Sequence, residues 1–293
     1  MQGPLAFRSP FPCVHAARRF DSSRHLVFEI GGVQAGWIRR SDVRLLNAWP
    51  YVFEIDTDRV ALRGELESVE SRSRALGEVI EALAAQGHIP GWRNETYAIR
   101  NQFDDPPLAL IERAASRFFG TQTYAVHLNG VVGATRMWIA RRSLQKATDP
   151  GMLDNLVGGG IGWGYGIEET LVKECWEESG LPESLARRAV RGGTIHVLQE
   201  IEEGTQAEQL FIFDLDVGAG FEPINQDGEV ADHRLATIDD ARQWVAEGKL
   251  TVDASLAALD WMARHDALDD DARADLDVLT IRPDASALAA GRA

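Results

Sequence analysis

The chain of 293 residues is poor in cysteine, holding two, Cys13 and Cys175, far apart in sequence. That scarcity excludes a disulfide framework and fits a reducing compartment. Long apolar runs are missing as well, so no membrane-spanning helix and no membrane partner are expected. Near the N-terminus, Arg8, Arg18, Arg19 and Arg24 are scattered without an apolar stretch between them. Neither a secretory signal nor an organelle transit peptide is expected there, and the expected location is cytoplasmic. Internal repeats and low-complexity blocks are also absent. Basic charge is in deficit: 30 Lys and Arg face 45 Asp and Glu, for a net charge of −15. A surface of that sign repels phosphate backbones, which argues against nucleic acid as a partner. A small phosphorylated molecule can still bind where metal ions neutralise the contact locally, and this points toward a metal site.

What is present is ordinary globular material, 45% hydrophobic and 26% charged, at a length that suits two domains. The first third alternates strand-like runs (Leu26–Ile30, Gly36–Arg39, Val52–Ile55) with a helical stretch, Glu67–Gln86, that starts near Ser68 and stops at Gly87. The Asp104-Asp105-Pro106-Pro107 run predicts a turn, followed by a short helix over Leu108–Phe118 that Gly120 ends. The domain boundary is placed between Gly120 and Tyr124. Beyond it, Tyr124–Leu128 and Met137–Ala140 read as strands, with Asn129-Gly130 as a hairpin signal. A Gly-rich loop then leads into a helix from about Ile167 to Ser179. Thr194–Ile201 and Gln209–Leu215 read as strands paired around Glu203-Gly204, followed by helices over Ile238–Glu247 and Val252–His265. The acidic, Ala-rich stretch after Leu268 reads as a poorly ordered tail. Three segments result: a mixed α/β domain over 1–120, a second domain over 121–268 and a tail over 269–293. Interleaved strands, hairpins and helices predict a mixed sheet sandwiched between helices.

The chemistry concentrates at Gly158-Gly159-Gly160-Ile161-Gly162-Trp163-Gly164-Tyr165-Gly166 and at the following Lys173-Glu174-Cys175-Trp176-Glu177-Glu178-Ser179-Gly180-Leu181. Glu177 and Glu178 lie three and four residues beyond Glu174, so all three carboxylates share one helix face. Like charges so placed repel by roughly 0.2–0.5 kcal/mol per exposed pair. A solvated acidic face would show the same triplet. The preceding Gly-rich loop and the terminal Gly180-Leu181, however, favour a carboxylate cluster holding Mg2+ or Mn2+.

This pattern resembles the box of the Nudix family, G-x5-E-x7-R-E-U-x-E-E-x-G-U, where U is bulky and apolar. The match runs through Gly159, Glu174, Cys175, Glu177, Glu178, Gly180 and Leu181. Tyr165 stands where the family has its first Glu, and Lys173 replaces Arg, keeping the charge but losing the bidentate fork. Glu168 or Glu169 could substitute for the first Glu if the loop shifts.

The flanks resemble one branch of that family, related to the Nudix domain fused to thiamine pyrophosphokinase. They are Tyr124–Gly130, Trp138–Ser143, Pro150–Asn155, Gly91–Glu95, Glu112–Gly120, Asp227–Val230 and Asp260–His265. Members of this branch often read Lys-Glu in the box and lack the first Glu.

The resemblance implies an α/β/α Nudix sandwich after a smaller α/β domain. It also implies a Mg2+-dependent hydrolase of an organic diphosphate, with thiamine diphosphate and its damaged forms as first choice. Glu174, Glu177 and Glu178 are the expected metal ligands, with Lys173 beside them and Glu229 as a further carboxylate from a later loop. Glu178 or a loop glutamate serves as general base. Trp163 is placed to stack on a heteroaromatic ring, Arg141 and Arg142 to meet phosphate, and Gly159 and Gly160 to lie beside substrate. His127 and His196 read as core or edge residues, and Cys175 as packing. Two other readings keep the fold: hydrolysis of ADP-ribose or another nucleoside diphosphate derivative, and a ligand-sensing module without turnover. Isomerisation on the same fold would need a cysteine outside the box, and Cys13 alone qualifies. Residues 1–120 are expected to cap the pocket, mediate a homodimer, or both.

Overall fold

The computed structural model describes residues 7–283. A short helix α1 (Pro12–Ala16) precedes two strands, β1 (His25–Ile30) and β2 (Val33–Arg39), joined by a turn at Gly31 and Gly32, both at positive φ. Helix α2 (Val43–Leu46) leads to β3 (Phe53–Ile55) and β4 (Arg59–Leu62), and the sheet is ordered β2-β1-β4-β3 with β1 and β4 parallel. Helix α3 (Val69–Ala85) covers it. Its Leu76, Val79, Ile80 and Leu83 recur at helical spacing and are buried, and Ser68 caps its start by accepting from the Ser71 amide.

Residues 108–118 depart from the expected helix. Ala109–Glu112 forms strand β6, paired antiparallel with β5 (Thr96–Ile99), and a helix, α4, begins at Ala115 and ends at Phe119. The alternation decides this, because Ala109 and Ile111 are buried while Leu110 and Glu112 are not. Gly120 closes α4 at φ 57°, as the C-cap reading required.

The second unit is built on a seven-stranded mixed sheet. Its strands are β7 (Gln122–Val132), β8 (Arg136–Arg142), β9 (Leu153–Asp154), β10 (Val157–Gly160), β11 (Val190–Ile201), β12 (Gly204–Asp216) and β13 (Val230–Thr237). The order is β11-β12-β7-β8-β13, with β10 on β7 and β9 on β8, and β7 and β12 run parallel. Helix α5 (Ile167–Ser179) and the short α6 (Glu183–Ala186) cover one face through Leu171, Cys175 and Ala186. Helices α7 (Ile238–Ala246), α8 (Val252–Arg264) and α9 (Asp270–Leu279) cover the other. This is the expected helix–sheet–helix sandwich with a mixed sheet.

Two local expectations fail. Asn129-Gly130 is not a turn: it lies inside β7, and the chain reverses instead near Gly133, which has φ 60°. The Asn129 amide donates to Asp214 and to the Ala257 carbonyl, and a Cβ at Gly130 would stand 2.2 Å from Leu156 Cδ2. Both residues therefore serve packing. The acidic stretch after Leu268 is helical over Asp270–Leu279, because Ala272, Leu276 and Leu279 fall on one face and are buried. The remainder of the expected tail, 284–293, lies outside the described residues.

The two units are joined at several places. Phe11, Cys13, Val14 and Ala17 enter the core beneath α8, and residues 17–19 run along the free edge of β11, with Leu198 N donating to Ala17 O and Glu200 N to Arg19 O. Phe103 packs edge-on against Tyr124 and Phe211. Trp163 N donates to Thr96 O, fastening the Gly-rich loop to β5. No helix among the described residues is long and apolar enough to cross a membrane.

Candidate active site

Helix α5 starts and stops where its sequence dictates. The Glu169 carboxylate accepts from the Gly166 amide at its start, and Gly180 ends it in the left-handed region at φ 64°. With the ends fixed, Glu174, Glu177 and Glu178 fall on neighbouring positions of one face. Glu178 is buried and accepts from the Gly158 amide at 2.8 Å, which ties the helix to β10. Glu174 lies flat against β10. A Cβ on Gly159 would stand 2.3 Å from Glu174 Cδ, so glycine there makes room for the carboxylate.

Two ammonium groups hold the carboxylates in pairs. Lys173 reaches Glu174 at 3.1 Å and Glu177 at 2.6 Å. Lys146, from the loop between β8 and β9, lies 3.6 Å from Glu178 and bonds Glu229, from the loop before β13. The Ser143 amide donates to the Glu229 carbonyl and the Gln226 amide to the Glu177 carbonyl, so both loops are pinned beside α5.

Burial pushes the Glu178 carboxyl up to about 8, with Glu174 and Asp154 adding to the rise and Lys146 opposing it. Burial also raises Glu174, against the pull of Lys173. Burial opposes ionisation at Glu229, yet Lys146 outweighs it and holds that carboxyl below the usual range, helped by Arg93 and Arg113. Burial likewise disfavours the Lys173 ammonium, but Glu177 and Glu174 prevail and raise its pKa.

As the side chains stand, no three His, Cys, Asp or Glu residues among the described residues are gathered closely enough to hold a metal ion. The donor set nevertheless suits a hard divalent cation. Glu174, Glu177, Glu178 and Glu229 offer only oxygen, and the two lysines stand where positive charge is called for. Long, flexible ammonium stems can yield such positions to a cation without moving the backbone.

Residues 124–256 match the NUDIX domain family, and residues 10–123 match a domain of unknown function, DUF4743. Two chloroplastic proteins of Arabidopsis thaliana are similar to the chain. Nudix hydrolase 24 is 38% identical over 236 residues, covering 78% of this chain and 65% of the relative. Nudix hydrolase 20 is 39% identical over 210 residues, covering 70% of this chain and 56% of the relative. The chain thus spans less than two thirds of the length of either plant protein. Among solved structures, a MutT protein from Methanosarcina mazei is 18% identical, covering 49% of this chain and 95% of that one, with a TM-score of 0.38.

Within the second unit the expected residues separate into two groups. Lys173, Glu174, Glu177, Glu178, Glu229 and Gly159 are brought together around one end of β10. Gly160 lies beside them and faces the first unit, where a Cβ would stand 1.9 Å from the Tyr97 hydroxyl. Trp163, Arg141 and Arg142 are engaged elsewhere. The Trp163 ring lies 6.0 Å from the Arg100 guanidinium, near Phe103 and Tyr124. Arg141 binds Asp232 and the Gly151 carbonyl. Arg142 binds Asp154 at 2.7 Å and the Thr148 carbonyl, fixing the loop that carries Lys146. Tyr165, at the position of the missing box Glu, is exposed, and Glu169 is occupied as a helix cap. His127 is buried against Asn155, and Cys175 is buried with its pKa raised by desolvation.

Sequence reasoning missed Lys146, Arg93, Tyr97 and Arg113. Lys146 sits in an irregular loop with no spacing signal. Arg93 and Arg113 lie in the segments Gly91–Glu95 and Glu112–Gly120, whose branch resemblance was visible but did not reveal what they face.

Proposed function

We propose that the chain is a divalent-metal-dependent hydrolase of an organic diphosphate, with thiamine diphosphate and its damaged forms as preferred substrates and the monophosphate and phosphate as products. The observation that carries this reading is the gathering of Glu174, Glu177, Glu178 and Glu229 around β10, held in pairs by Lys173 and Lys146. Glu174, Glu177, Glu178 and Glu229 are the groups that would hold Mg2+ or Mn2+, which when bound offsets phosphate charge and lowers the pKa of an attacking water. In hydrolysis the water oxygen bonds to phosphorus, the anhydride P–O bond breaks and the water proton passes to a base. Glu178, buried where Lys146 and the Gly158 amide fix its carboxylate, is the first candidate for that base. Glu229, kept ionised by Lys146, is the second candidate.

Thiamine is favoured by the resemblance of the flanks and by the polarity of the cleft between the units. Arg93 and Arg113 line it together with Glu203, so a ligand carrying both a diphosphate and a cationic ring meets charges of the right sign. The test is Glu177→Gln or Glu178→Gln, assayed for phosphate release from thiamine diphosphate, oxythiamine diphosphate and ADP-ribose with Mg2+. Turnover should fall by roughly 100-fold or more with the circular dichroism spectrum unchanged. Near-normal turnover would remove the carboxylates from the chemistry, and preference for ADP-ribose would remove thiamine.

A further inference from the structure

A cavity of about 120 Å³ lies between the β5–β6 hairpin and the second unit, lined by Arg93, Tyr97 and Arg113 from one side and Thr123, Ala147 and Thr148 from the other. Ala147 and Thr148 follow directly on Lys146, the residue that joins Glu178 to Glu229. The cavity therefore adjoins the carboxylate cluster, and the charges of Arg93 and Arg113 act on Glu229.

The two arginines are prepared differently. Arg113 is fixed: its Nη1 donates to Glu95 at 2.7 Å, and its guanidinium lies 5.6 Å from the centre of the Tyr97 ring. Its Nη2 points to the box loop, 3.4 Å from where a Cβ of Gly160 would be. Tyr97 itself can approach only because residue 160 lacks a side chain. Arg93 is exposed, and no ion pair or side-chain hydrogen bond holds its guanidinium among the described residues. Of the acidic groups nearby, Glu95 is taken by Arg113 and Glu208 by Arg117, leaving Glu203 on the same wall. On a chain of net charge −15, one free guanidinium and one held with an open edge form a local seat for an anion.

We propose that the N-terminal unit completes the substrate site, with Arg93 and Arg113 binding the diphosphate of the substrate opposite the α5 carboxylates. This rests on the hydrolase reading above for the identity of the anion. The two arginines are binding and positioning groups and take no proton. The hairpin that carries them is seated by Gly160 and by the Trp163–Thr96 hydrogen bond, so the Gly-rich loop serves both units at once.

The experiment is calorimetric titration of the full chain, in Mg2+, with inorganic diphosphate, comparing wild type with Arg93→Ala, Arg113→Gln and a control, Arg187→Ala just after α6. Each cleft variant should weaken the dissociation constant about tenfold, while the control leaves it unchanged. In turnover assays both cleft variants should raise KM with kcat within about threefold, a split that a folding defect would not produce. Arg93 is exposed, so its replacement keeps the test clean should Arg113→Gln disturb the hairpin. Unchanged affinity in Arg93→Ala and Arg113→Gln, or no binding of diphosphate by the wild type, overturns the inference. Diphosphate bound through these arginines without hydrolysis of any organic diphosphate supports the inference and overturns the hydrolase reading instead.

Discussion

Glu178 carries the largest consequence at the scale of a single residue. Its carboxyl is 6% exposed, and its pKa is pushed to about 8 from 4.5. The folded chain therefore retains a proton that the unfolded chain gives up near 4.5, so ionisation works against folding. In EDTA, stability should fall as pH rises from about 4.5 to about 8 and level off above that. The slope is roughly 1.4 kcal/mol per pH unit where the difference is full. Asp253, raised to about 6 chiefly by burial, adds to the lower part of that window. Glu178→Gln removes one contribution and leaves the other. Melting temperatures between pH 5 and 9 should accordingly be flatter for the variant above pH 6, and an identical slope would mean that Glu178 ionises freely. Glu178 was legible as a candidate because it falls on one helix face with Glu174 and Glu177. Its burial and its partners, Lys146 and the Gly158 amide, were not, since they come from elements distant in sequence.

Strand β10 and helix α5 act together at the scale of elements. Gly159 sits in regular antiparallel pairing with Val126, so its backbone conformation suits any residue. What a methyl group there would meet is the Glu174 side chain, at 2.3 Å from Cδ and 2.5 Å from Cγ. Gly159→Ala should leave the fold intact, with a melting temperature within about 4 °C of wild type. It should swing Glu174 out of the carboxylate group, cutting the proposed diphosphatase activity by about tenfold or more and raising the Mg2+ needed for half-maximal rate. A Mg2+ titration of activity checks this, and an unchanged profile would remove Glu174 from the proposed metal site. The ends of α5 were readable because capping residues and the glycine at the C-terminal end act within a few residues of themselves. Residues 108–118 and Asn129-Gly130 were misread for the opposite reason. The pairing of β6 with β5 and the packing of Asn129 against Asp214 override local turn and helix signals.

For the molecule as a whole, the described ends of the chain hold the sandwich closed. Asp275 on α9 accepts from the Arg8 and Ser9 amides at 2.6 and 2.7 Å, and Leu276 and Leu279 are buried in the same core as Phe11 and Val14 from the N-terminal segment. Burying two leucines contributes about 3–6 kcal/mol, before other losses are counted. Truncation after Leu268 should therefore lower the melting temperature by at least about 5 °C, measurable by calorimetry. A truncated chain that melts with the wild type would show α9 to be a bystander. The N-terminal segment reaches this core while the rest of its unit packs on α3, an arrangement that no local pattern announces.

By itself the sequence determined the box helix, its caps and the shared face of its three glutamates, because helical spacing fixes which neighbours meet. It also determined the alternating runs that became most of the strands. Only the tertiary structure decided which loops meet that face. Lys146, Glu229, Arg93 and Arg113 are separated by long stretches of chain, and they converge because β8, β10 and β13 are held in register on one sheet while the β5–β6 hairpin docks at Gly160. Sheet register and docking depend on long-range pairing, which no short window of residues contains.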